Sequence, residues 1–107
     1  GGFIATGGGT VNVTGSGNHI ATTTGTALNI SNTTIGASNV TFQDISANGA
    51  VNAIILNNTG TSGGLIITGT DGGDAGTIAD SGTGGTIQNT SGDAIVLNNP
   101  ATCRSTG

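Results

Sequence analysis

A short strand closed by asparagine occurs three times in this chain, and no other feature restricts its fold as much. The copies are Ala27-Leu28-Asn29-Ile30-Ser31-Asn32, Ala53-Ile54-Ile55-Leu56-Asn57-Asn58 and Ala94-Ile95-Val96-Leu97-Asn98-Asn99. Their first residues lie 53 − 27 = 26 and 94 − 53 = 41 positions apart, one period and then roughly two. Self-similarity at about 20 to 50 residues marks a solenoid, a propeller or an array. A unit this short cannot bury its apolar side alone, so it has to stack on copies of itself. The motif therefore predicts an all-β chain folded as a parallel β-helix of about 4–5 coils, each of roughly 20 to 26 residues.

Successive side chains of a strand point to opposite faces. Aligning the three copies places Leu28, Ile54 and Ile95 in one column and Ile30, Leu56 and Leu97 in a second. Both columns are expected to face inward as an aliphatic core ladder. Asn29, Ile55 and Val96 then face outward. Asn32, Asn58 and Asn99 form a third column. Asn tolerates the left-handed backbone that a sharp corner requires, and stacked Asn side chains can hydrogen-bond to one another. These three are read as structural turn residues.

Other segments carry the same strand signature. Val11 to Thr14, Val40 to Phe42 and Leu65 to Ile67 are short β-rich runs bounded by Gly, Asn, Ser or Asp. Helix is disfavoured, because Gly and β-branched residues dominate and Lys, Glu and Met are absent. A weaker echo pairs Gly63-Gly64-Leu65-Ile66-Ile67-Thr68 with Gly84-Gly85-Thr86-Ile87-Gln88-Asn89, 84 − 63 = 21 positions on. Direct alignment sets Leu65 and Ile67 against Thr86 and Gln88, which would turn polar groups inward. A one-residue slip exchanges every inward side chain, so the register of residues 60–92 stays open. The whole of 1–107 reads as one domain, with 100–107 as a turn or tail around Pro100.

Composition removes several function classes. The chain holds one Arg, no Lys and five acids, for a formal net charge of −4. Binding to nucleic acid draws on Lys and Arg that displace counterions, and Arg104 alone cannot supply them. The same shortage leaves no basic membrane patch, and no apolar run approaches the roughly 18 residues of a membrane span. Gly makes up 22 of 107 residues and only 6% are charged, values also met in disordered chains. A mean hydropathy of +0.12 and the clustering of Ile, Val and Leu favour an ordered stack instead. There is no Met and no secretory signal, so the chain reads as a processed product or an excerpt. Cys103 is the single cysteine and allows no internal disulfide.

Few residues could carry chemistry. The acids are all Asp, and Asp71-Gly72-Gly73-Asp74 is the one pair close enough to share a ligand. A Gly-rich turn with two carboxylates can hold Ca²⁺, but the tandem copies that define calcium-binding repeats are absent. Asp71 and Asp74 are read as a solvated loop, with no metal and no cofactor expected. His19 has no second His and no neighbouring Cys to complete a metal shell. No Gly-x-Ser-x-Gly elbow marks a nucleophile. The sequence does not read as an enzyme. Six Asn-x-Ser/Thr sites, at Asn12, Asn29, Asn32, Asn39, Asn57 and Asn89, would accept glycans in a competent host.

The run from Gly25 to Ala37, followed by Val40-Thr41-Phe42-Gln43, Asn57-Asn58-Thr59-Gly60, Gly84 to Asn89 and Asp93-Ala94-Ile95, resembles the parallel β-helix repeats of large bacterial surface proteins, autotransporter-like and adhesin-like. The resemblance spans about residues 25 to 99. It implies a right-handed β-helix, export to the cell surface or medium, and a structural or adhesive role. It carries over no catalytic residue. Neither end of the chain reads as a cap, since both lack an amphipathic helix and dense charge. The expected function is that of a structural extracellular segment, a surface adhesin or fibre subunit, stacking head to tail with copies of itself, with surface glycans as an optional second partner. The alternative is an ice- or carbohydrate-binding solenoid, for which Thr10 and Thr22-Thr23-Thr24 hint at a face without recurring at coil spacing. A polysaccharide-active enzyme comes third.

Overall fold

The computed structural model describes residues 2–69 and 84–98, together with the backbone of 103–105. Eleven strands follow one another: β1 (Phe3–Thr6), β2 (Thr10–Val13), β3 (His19–Thr22), β4 (Leu28–Ser31), β5 (Thr34–Phe42), β6 (Asp44–Asn48), β7 (Ile54–Asn57), β8 (Leu65–Ile67), β9 (Ile87–Gln88), β10 (Ile95–Asn98) and β11 (Cys103–Ser105). They distribute into three sheets. Sheet A has the order β1-β4-β7-β10, sheet B has β2-β5-β8-β11, and sheet C has β3-β6-β9. Each pairing is parallel, so the chain passes through A, B and C in turn before returning to A one strand further on. Among the described residues no helix is long and apolar enough to cross a membrane.

Alternation decides which side chains line the interior. In sheet A, Leu28 pairs with Ile54 and Ile30 with Leu56, and all four are fully or almost fully buried. Sheet B contributes Ile35, Val40, Phe42 and Leu65, and sheet C contributes Ile20, Ile45 and Ala47, to the same buried cluster. The side chains between them turn outward. Asn29 and Ser31 of β4, for example, sit on the outer face, where the Ser31 hydroxyl donates to Asn29 Oδ1 at 2.6 Å.

Asparagine makes the corners. Asn32, Asn39, Asn58 and Asn89 have φ of 52°, 67°, 59° and 56°, the left-handed region that costs β-branched residues most. Asn32 and Asn58 occupy one corner in successive layers, and Asn58 Nδ2 donates to Asn32 Oδ1 at 3.2 Å. At a second corner Asn89 Nδ2 donates to Asn48 Oδ1 at 2.7 Å. Near Asn39, whose Oδ1 accepts from the Gly64 amide at 3.0 Å, two glycines let the backbones close up. A Cβ on Gly63 would fall on the Gly36 carbonyl oxygen.

At four places the structure adds to or departs from the sequence reading. The 41-residue interval is one step and not two, because β7 and β10 pair directly with Ile54 on Ile95 and Leu56 on Leu97. The extra length lies between β8 and β9, where 87 − 67 = 20 positions separate neighbouring strand ends, against 44 − 42 = 2 between β5 and β6. The Gly-Gly echo does not describe stacked strands: β8 pairs with β5 in sheet B, and β9 with β6 in sheet C. Residues 103–105, expected in a C-terminal turn, form β11 on β8. Ile95 and Leu97 hold their places in the two aliphatic columns but are 46% and 50% exposed. Among the described residues β10 is the last strand of sheet A, and no described strand pairs with its outer edge.

Candidate functional site

The features that could engage another molecule lie at the two ends of the stack. At one end β1, β2 and β3 are the edge strands of their sheets. Phe3 sits edge-on to Phe42, with ring centroids 5.8 Å apart and planes at 70°. Phe3, Ala5, Val11 and Val13 point toward the interior yet are only half-buried, because the next layer is missing on one side. Beneath them opens a concavity of about 350 Å³ lined by Gly2, Phe3, His19, Ile20, Ala21 and Phe42. It is the mouth of the apolar core. Ile4, on the outer face of β1, is 60% exposed.

The opposite end repeats the pattern with different residues. Ile95 and Leu97 of β10 and the half-buried Ile87 of β9 expose the last layer of the interior columns. Edge strands in soluble proteins are commonly blunted by Lys, Pro, bulges or a covering element. No Lys is present in the chain, and its single Pro is Pro100. Neither β1 nor β10 contains a charged residue, and among the described strands each is paired along one side only.

Chemistry-bearing side chains assemble into little. His19 and Asp44 are register partners on sheet C, and His19 Nδ1 meets Asp44 Oδ2 at 2.5 Å on the outer face. The imidazole is more than half exposed, so this is a surface hydrogen-bonded pair that contributes little to stability. One imidazole and one carboxylate are short of a metal shell, and no group of three potential ligands occurs among the described residues. Asp93 uses its backbone carbonyl to accept from Asn52 Nδ2. Asp71, Asp74 and Asn99 lie outside the described residues. Of the Asn column, Asn32 and Asn58 are brought together; of the aliphatic ladder, Leu28, Ile30, Ile54 and Leu56 are enclosed while Ile95 and Leu97 form the end surface.

Sequence reasoning passed over Phe3, Ile4 and Phe42. A signal existed: Phe3 and Phe42 are the only aromatic residues in the chain. The outer faces also bear on the ice-binding alternative, which needs a flat array of Thr. The outward columns read Ile4-Asn29-Ile55-Val96 and Thr6-Ser31-Asn57-Asn98 in sheet A, and Ala47 and Asn48 pair with Ile87 and Gln88 in sheet C. Neither outward column of sheet A repeats Thr. No family model, no curated protein and no solved structure matches this chain.

Proposed function

We propose that this chain is a structural segment, a right-handed parallel β-helix belonging to an extracellular surface protein or fibre, whose copies stack end to end. One observation carries the reading: the apolar columns run through the described strands and are partly exposed on the outermost of them, at Phe3 and Ala5 of β1 and at Ile95 and Leu97 of β10. Right-handedness is supported by the near-universal hand of parallel crossover connections. A charge of −4 spread over 107 residues sets only weak repulsion between copies. The surface or secreted location and the adhesive role rest on the repeat phrases that resemble bacterial surface β-helices. No catalytic role is proposed, since the one imidazole–carboxylate pair is exposed and lies on an outer face.

The test is assembly of the purified chain. Light scattering at rising concentration should report growing particles, and negative-stain grids should show fibres. Diffraction from aligned fibres should give a meridional spacing of about 4.8 Å, because the strands lie across the axis. A monodisperse monomer at millimolar concentration, with clean grids, would refute self-stacking.

A further inference from the structure

Asn48-Gly49 is the single place in the chain where asparagine precedes glycine. Every other Asn is followed by a residue with a side chain, which crowds its own amide nitrogen. The pair arises from the demands of a corner. Gly49 has φ of 103°, and Asn89, at the same corner one layer on, has φ of 56°. Glycine takes such a backbone without steric cost. It also leaves its nitrogen unhindered beside the Asn48 carboxamide, and Asn48 is exposed to water.

Such a pair can react with itself. The deprotonated Gly49 nitrogen attacks Asn48 Cγ, the Cγ–Nδ2 bond breaks, and the amide group leaves with a proton as ammonia. The product is a five-membered succinimide shared by the two residues. Water then opens the ring at one of its two carbonyls. Opening at Cγ gives aspartate on an unchanged backbone. Opening at the main-chain carbonyl of residue 48 gives isoaspartate, whose backbone runs through Cβ and is one atom longer. One water enters and one ammonia leaves, with no change of oxidation state.

The fold withholds each requirement of the first step. Asn48 closes β6 in extended backbone, which keeps the Gly49 nitrogen off the Cβ side that the ring needs. The Gly49 amide donates to the Gln88 carbonyl at 3.0 Å, so it holds the proton that must leave. Asn48 Oδ1 accepts from Asn89 Nδ2 at 2.7 Å, which fixes the carboxamide against the next layer. Two of these three restraints come from Gln88 and Asn89, at the end of β9. That strand is two residues long, and β6 stays paired with β3 when β9 lifts. Segments with few contacts open locally for much less than the global unfolding energy.

We infer, independently of whether copies stack, that Asn48 is a spontaneous deamidation site latched by β9. It is silent while Gln88 and Asn89 sit on β6, and it reacts when they leave. The two products then behave differently. Aspartate keeps the backbone, and its carboxylate still accepts from Asn89. Isoaspartate lengthens the chain between Ala47 and Ala50, both buried. It also shifts the bonds that follow, from the Ser91 amide to the Ala50 carbonyl and from the Gly92 amide to the Val51 carbonyl. A layer that stays open long enough to form isoaspartate does not close again as it was.

The test incubates the full chain at mildly alkaline pH, folded in buffer and unfolded in guanidinium chloride. Peptide mapping that separates Asn, Asp and isoaspartate follows residue 48. The folded chain should react at least about tenfold more slowly, the factor for a latch that costs about 1.4 kcal/mol to open. Asn89→Gly permits the same positive φ and removes the side-chain hold. It should speed the folded reaction at least about twofold, the low end for one lost hydrogen bond, and leave the unfolded rate unchanged. Leu56→Val weakens the core in sheet A and should leave the folded rate at Asn48 unchanged, because the opening is local. The isoaspartate fraction should unfold at a lower urea midpoint than Asn48→Asp. Equal rates in the folded and unfolded chain, or equal acceleration by Asn89→Gly and Leu56→Val, would overturn the latch. Isoaspartate that refolds as stably as Asn48→Asp would overturn its one-way consequence.

Discussion

Leu56 and Leu97 are the same residue in the same column, one layer apart, and truncating each to Ala measures what the layer is worth. Leu56 is fully enclosed, with Ile30 on one side and Leu97 on the other. Leu→Ala at such a site removes the transfer energy and leaves a cavity, a cost of about 2–5 kcal/mol. With a urea slope of roughly 1–3 kcal/mol/M for a small domain, the midpoint falls by on the order of 1–3 M. Leu97 is 50% exposed, so half of the ~1.5–3 kcal/mol for burying a leucine is at stake and no closed cavity forms. Its midpoint should fall by less than about 1 M in dilute solution. Urea unfolding followed by circular dichroism at low micromolar concentration reads both. Under the proposed end-to-end stacking the order changes, because a second copy would cover Leu97. A loss of about 1 kcal/mol per joint should raise the critical concentration roughly fivefold. Equal destabilisation of the dilute chain by both variants would refute the layer argument. If Leu56→Ala leaves no folded chain, Leu56→Val provides the smaller step for the same comparison.

Asn58 has φ of 59°, so Asn58→Ala should cost about 1–2 kcal/mol in thermal or urea unfolding, while Asn58→Gly should cost less because only the side-chain bonding is lost. Gly63→Ala would set a Cβ on the Gly36 carbonyl oxygen and should destabilise by at least ~2 kcal/mol, a larger loss than Gly7→Ala, where the space is open and only the φ of 88° is strained. The Thr22 hydroxyl is buried without a hydrogen-bond partner, so the isosteric Thr22→Val should stabilise by about 1 kcal/mol, read as a higher urea midpoint. EDTA should leave the thermal midpoint unchanged and Ca²⁺ calorimetry should be flat; micromolar Ca²⁺ binding abolished by Asp74→Ala would overturn the reading of Asp71 and Asp74 as a solvated loop.

Column register in sheet A was legible because one motif supplies three of its four strands. When Leu28, Ile54 and Ile95 are written under one another, the backbone pairing follows. The Asn residues at corners were legible for a related reason, since few side chains other than Gly accept φ near +55°. Sheets B and C were harder to read. β2 and β5 pair through a register shift between Val11 and Val13, where Gly36 to Asn39 add length to one strand only. β9 is two residues long and pairs with a strand 40 positions earlier with which it shares no motif. The exposure of Ile95 and Leu97 could not be seen from their residue types. A column shows which side chains align, and only the sheet order shows which strand is last.

Under the proposed stacking, folding and association of this chain would draw on the same side chains. A layer inside the stack is held by apolar contacts above and below; a terminal layer has them on one side. A globular protein resolves that asymmetry by closing its ends with polar or charged residues, and this chain has one Arg, no Lys and five Asp to do so. None of the five Asp lies within the edge strands β1 or β10. The edges carry Phe3, Ile4, Ile95 and Leu97 instead. Residues that would be a solubility defect in a monomer become interior residues once a second copy is in place, and the backbone groups of the edge gain partners in the same event. Stacking thus satisfies the terminal layers by the interactions that already hold the central ones, with no specialised interface chemistry. An assembly of the proposed kind would be limited by the match of its two ends, with Phe3 and Ala5 partly exposed at one and Ile95 and Leu97 at the other.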